Sequence, residues 1–90
     1  MNNPRRKQID KIIAEIENLQ SLLAEYTVDL SSVRDEEEES LNNMPENLQG
    51  SERYEKIEAA YENLDYAHSE LESLDDTLTE IISYLEEAKA

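Results

Sequence analysis

Ninety residues with a formal net charge of −15, one glycine, two prolines and no cysteine, tryptophan or phenylalanine make one domain at most. So few breakers exclude a β-rich fold, which would need many turns. The missing cysteine excludes disulfides, thiolate nucleophiles and cysteine-ligated metals.

The basic cluster Arg5-Arg6-Lys7 is followed by no apolar stretch, so no secretory signal is expected. No apolar run approaches the ~18 residues of a membrane span. A cytoplasmic protein without membrane contact is the expectation. Despite the charge, the regular placement of the apolar residues speaks against disorder.

The first element is a helix over about residues 4–39. Asn3 is a suitable cap and Pro4 suits the first helical position, where no N–H is needed. Ile9, Ile12, Ile16, Leu19, Leu23, Tyr26, Leu30 and Val33 alternate in steps of three and four, a heptad stripe. Ile13 and Leu22 lie beside it. The helix ends in Asp35-Glu36-Glu37-Glu38-Glu39, whose like charges repel and weaken that end.

Residues 40–50 form the connection. Pro45 disfavours helical geometry at Met44, and Gly50, the one glycine, suits a left-handed terminator. A single turn over Pro45–Gln49 is expected, with Leu41, Met44 and Leu48 folded over the core end. Met44, Pro45, Glu46 and Leu48 make the hinge tip.

The second helix is expected over about residues 51–89, with Ser51 as cap. Its stripe runs Ile57, Ala60, Leu64, Ala67, Leu71, Leu74, Leu78, Ile81, Leu85 and Ala88, again in unbroken three-four steps. Tyr54, Tyr61, His68 and Ile82 recur at sevens along one flank, with Asp75 filling the remaining slot. So short a connection makes the two helices antiparallel neighbours, an all-α helical hairpin within a single domain, 1–90.

At ~1.5 Å per residue each helix is on the order of 50–58 Å long, and one hairpin this thin is a poor core. The stripe widened by Ile13, Leu22, Tyr61 and Ile82 can face two neighbours. A dimer of hairpins, closed as a four-helix bundle or coiled coil, is the expected assembly, with those four residues as the self-association set.

Charge is unevenly spread. Residues 1–34 hold five basic and five acidic side chains, whereas residues 35–90 hold Arg53, Lys56 and Lys89 against 18 carboxylates. Repulsion from phosphate argues against direct nucleic-acid binding, and a basic protein or a metal cation is the electrostatically sensible counterpart. The acidic surface offered to such a partner comprises Asp35, Glu36, Glu37, Glu38, Glu39, Glu55, Glu58, Glu62, Asp65, Glu72 and Asp76.

No catalytic arrangement is found, no cofactor is implied and no metal site is expected. His68 is the one histidine. Asp65 and Glu72 share its face, but no Glu-x-x-His pair exists to build a carboxylate-bridged dimetal centre. No Gly-rich loop is present to cradle a phosphate.

Asn43-Met44-Pro45-Glu46, with Leu48, Gln49, Ser51 and Arg53, matches an N-M-P-E-x-L-Q-x-S-x-R segment. In this the chain resembles short, acidic, uncharacterised helical proteins of Gram-positive bacteria, their prophages and mobile elements. The resemblance covers roughly residues 35–75 and implies a phage or mobile-element context, not an activity. Two functions are compatible with these features. One is a non-catalytic interaction or scaffold protein acting as a helical oligomer. The other is an acidic inhibitor that mimics nucleic acid and blocks a basic DNA- or RNA-binding protein.

Overall fold

The computed structural model describes all residues, Met1–Ala90. Helix α1 spans Asn3–Asn42, a 3-10 turn covers Glu46–Leu48, and helix α2 spans Glu52–Lys89. The cap of α1 is Asn2, one residue earlier than expected, whose Oδ1 accepts the Arg5 N–H at 2.9 Å. Asn3 is therefore already inside the first turn with Pro4. Ser51 caps α2 as expected, its Oγ accepting from the Tyr54 N–H at 3.2 Å and donating to the Leu48 carbonyl at 2.6 Å.

Three expectations for the connection need correction. The run Asp35–Glu39 does not end the helix, because α1 continues to Asn42. Arg34 neutralises part of the run, and Leu41 in the last turn and Met44 just beyond it are half-buried. Gly50 is not left-handed: no residue of the chain has positive φ, and a Cβ on Gly50 would meet open space. The reversal is made by Pro45, which ends the helix, and by the 3-10 turn, so no left-handed residue is required. Leu48 remains exposed, and only Leu41 and Met44 cover the core end.

The antiparallel hairpin is 69 Å long and 16 × 13 Å in cross-section. Its radius of gyration of 20.2 Å far exceeds the roughly 12 Å of a compact chain this long. The helices do not meet along the stripes that periodicity alone marks. On α1 the half-buried and buried positions include Ile9, Ile13, Ile16, Gln20, Leu23, Thr27, Leu30 and Arg34. On α2 they include Tyr54, Ile57, Tyr61, Leu64, His68, Leu71, Leu78, Ile82 and Leu85. Both are heptad seams, but each helix is turned so that one half of its stripe stays outside. Only Ile13, Leu23 and Leu78 are fully buried, at 5–8% exposed. No helix is long and apolar enough to cross a membrane.

Candidate interaction surface

With the seam fixed, each helix has two flanking columns at heptad spacing. One pair of columns makes a polar edge. Glu58, Asp65, Glu72, Thr79 and Glu86 line it on α2, and Asp10, Glu17 and Glu38 line it on α1. Of the polar residues of the seam, Thr27 donates its hydroxyl to the Leu23 carbonyl of its own helix at 2.7 Å, and Gln20, Arg34 and His68 find partners at this edge. Gln20 Nε2 donates to Thr79 Oγ1 at 2.9 Å and to Asp75 Oδ1 at 3.3 Å. Arg34 donates to Asp65 at 3.1 Å, and it pairs with Asp35 at 3.3 Å. Lys89 bridges Asp10 of α1 and Glu86 of its own helix. His68 Nδ1 lies 2.8 Å from Glu72 Oε1. No buried side-chain polar atom lacks a partner.

These contacts set the titrations. Hydrogen bonds to Asp10 and then Glu86 hold the Lys89 ammonium above its ordinary range, against a smaller opposing effect of burial. For Arg34, desolvation alone would lower the value, but the bonds and charges of Asp35 and Asp65 together outweigh it and the net shift is upward. The Tyr61 hydroxyl is raised, first by hydrogen bonding to Glu38 and then by that carboxylate's charge.

The opposite edge is apolar. Ile12, Leu19, Tyr26 and Val33 recur at sevens along α1 and are 44–53% exposed. In an antiparallel pair the matching columns of the two helices share an edge, so Ala60, Ala67, Leu74, Ile81 and Ala88 run beside them. Leu74 and Ile81 are 43% and 38% exposed. Leu22 and Tyr84 widen the strip on its outer sides. At ~1.5 Å per residue it extends over roughly 30 Å from Ile12 to Val33.

The structure divides the expected self-association set. Ile13 is spent in the seam, and Tyr61 and Ile82 are half-buried there, so none of the three faces a further neighbour freely. Leu22 alone stays on the surface. The residues with surface to offer are the four of the Ile12 column with Leu74 and Ile81, which sequence reading assigned to the core. Heptad spacing marks them clearly, but it does not say which half of a stripe the other helix covers.

The acidic set also divides. Glu55, Glu58, Glu62, Asp65, Glu72 and Asp76 share the side of α2 next to the polar edge. Asp65 and Glu72 among them are engaged by Arg34 and His68. Asp35, Glu36, Glu37, Glu38 and Glu39, at ~100° per residue, point successively all round α1 and form no single face. Glu37 and Glu38 turn toward α2 and are half-buried. At the hinge tip, Met44 and Pro45 line a shallow cleft with Glu37, Arg53 and Ile57, while Glu46 and Leu48 face outward. Arg53 forms no ion pair with the acidic run, and Lys56 pairs within its own helix, with Glu52 at 3.3 Å. No three histidine or carboxylate side chains converge as a metal ion would require.

Comparison with protein-family models, with curated proteins and with solved structures gives no match.

Proposed function

We propose that this chain is a non-catalytic interaction or scaffold protein that works as a homo-oligomer of helical hairpins. The observation that carries the reading is the apolar edge, a row of large aliphatic and aromatic side chains with nothing against it. The area supports it. The chain exposes 6630 Å², whereas a compact monomer of 10.4 kDa exposes about 5,400 Å². The excess of about 1,200 Å² exceeds the roughly 800 Å² per partner of a standard stable interface. A phage or mobile-element origin and a cytoplasmic location belong to the same proposal, the former supported by the Asn43–Arg53 segment. Sedimentation equilibrium at micromolar concentration tests it: a mass near twice 10.4 kDa is expected. A stable monomer would remove the ground for self-association.

A second reading is supported by the carboxylates gathered on one side of α2. They offer a basic protein, including one that binds nucleic acid, a negative strip about 30 Å long from Glu55 to Asp76. Binding to such a protein that weakens steeply with salt, and is lost when Glu55, Glu58 and Glu62 become glutamine, would establish it.

A further inference from the structure

The apolar edge is centred on the hairpin. The column from Ile12 to Val33 has its midpoint at Leu22, which is also the midpoint of α1, Asn3–Asn42. On α2 the midpoint between Leu74 and Ile81 falls at Thr77, nearer the open end than the middle of that helix but about level with Leu22, since Gln20 bonds to both Asp75 and Thr79. A strip centred in this way can be laid on a copy of itself with the long axis reversed, so that its large aliphatic and aromatic side chains meet one another. The two ends of the hairpin, in contrast, are electrically unlike. At the connection end, residues 34–62 carry Arg34, Arg53 and Lys56 against ten carboxylates. At the other end, residues 1–11 and 80–90 carry Arg5, Arg6, Lys7, Lys11 and Lys89 against Asp10, Glu80, Glu86 and Glu87.

Two isologous ways of covering the apolar edge exist. With the two-fold axis along the hairpin, α1 lies on the second copy's α2, and the two acidic connection ends sit side by side. With the axis perpendicular to the hairpin, α1 lies on the second copy's α1 and α2 on its α2. Ile12 then meets Val33, Leu19 meets Tyr26 and Leu74 meets Ile81. The same operation brings Arg5, Arg6 and Lys7 of one copy over the Asp35–Glu39 run of the other. The hydrophobic term is similar in both, so the charges decide between them, with like ends repelling and unlike ends attracting.

We infer that a second copy of this chain docks on the apolar edge through a two-fold axis perpendicular to the hairpin and passing near Leu22 and Thr77. The acidic connection end of each copy lies on the basic open end of the other. This rests on the self-association proposed above and adds its geometry. In the assembly the apolar edges are hidden, and both polar edges remain outside.

The absence of native cysteine makes crosslinking a direct test. Leu22→Cys and Thr77→Cys should each give a disulfide-linked homodimer, at least about tenfold faster than an outward control such as Ser32→Cys, because neighbouring thiols on the axis have a high effective concentration. Spin labels on Asn42→Cys should lie on the order of 60 Å apart across the dimer. A dimer that crosslinks only between Leu22→Cys and Thr77→Cys chains, with the Asn42 labels about 20 Å apart, has its axis along the hairpin. That result overturns this geometry and leaves self-association standing. A monomer at every concentration tested, or an assembly larger than a dimer, overturns the docking itself. Should either interface cysteine disturb folding, the Asn42 distance decides alone, since that residue lies outside the strip.

Discussion

Asp65 and Thr79 on one side of α2, and Ala67, Leu74 and Ile81 on the other, flank the same seam at the same heptad spacing. The first pair is tied to α1 through Arg34 and Gln20. The second group stays exposed beside a row of aliphatic and aromatic residues on α1. The polar edge therefore completes its contacts within one chain, and the apolar edge does not. Hydrogen-bonding groups in the seam need a partner wherever they sit, and a single hairpin supplies one. Apolar area needs only to leave water, and a second copy can cover it as well as the first helix can.

The sharpest way to break this comparison is to place a charge in the seam and on the apolar edge in turn. Leu23→Asp puts a carboxylate where the side chain is fully buried, at a cost of several kcal/mol. Loss of most of the helical circular dichroism is expected. Leu19→Asp, four residues away on the apolar edge, should shift sedimentation toward monomer while keeping more of the helical signal than Leu23→Asp. Equal loss in both would mean that the edge is as much a part of the chain's own core as the seam.

A smaller effect is expected on the polar edge. Arg34→Met keeps much of the side chain's packing and removes the ties to Asp35 and Asp65, which are half-exposed or more. Screening keeps the cost far below that of a charge in the seam, so the melting temperature should fall only slightly and the sedimentation mass should be unchanged. A change in mass would show that the polar edge takes part in association.

The smallest effect is a loss of stability in alkali. Lys89 titrates higher in the folded chain, so its contribution is complete below its unfolded value and disappears as pH rises through the folded one. The raised Tyr61 has the same sign, because the unfolded chain releases that proton first. Melting temperature should therefore decline above about pH 10. Lys89→Met with Tyr61→Phe should flatten that decline. An unchanged slope would show that neither group is held by the carboxylates beside it.

The sequence by itself determined the elements and their order. Unbroken three-four spacing over both segments, Pro45 between them and Ser51 before the second leave two helices and a short reversal as the one consistent reading. Element ends depend on local balances and moved by a few residues: Asn2 rather than Asn3 caps α1, and the helix runs past Glu39 to Asn42. Only the tertiary structure decided which way each helix is turned. Apolar periodicity locates the middle of an apolar arc, and on α1 that middle falls between the Ile9 and Ile12 columns. A helix that will touch two neighbours aims that middle at neither of them. The hairpin took the Ile9 column together with Ile13, Gln20, Thr27 and Arg34, because Gln20 and Arg34 find partners on α2 and the Thr27 hydroxyl is satisfied by the Leu23 carbonyl of its own helix. Ile12, Leu19, Tyr26 and Val33 were left outside, where no partner atom is needed to satisfy them and a second surface is free to cover them.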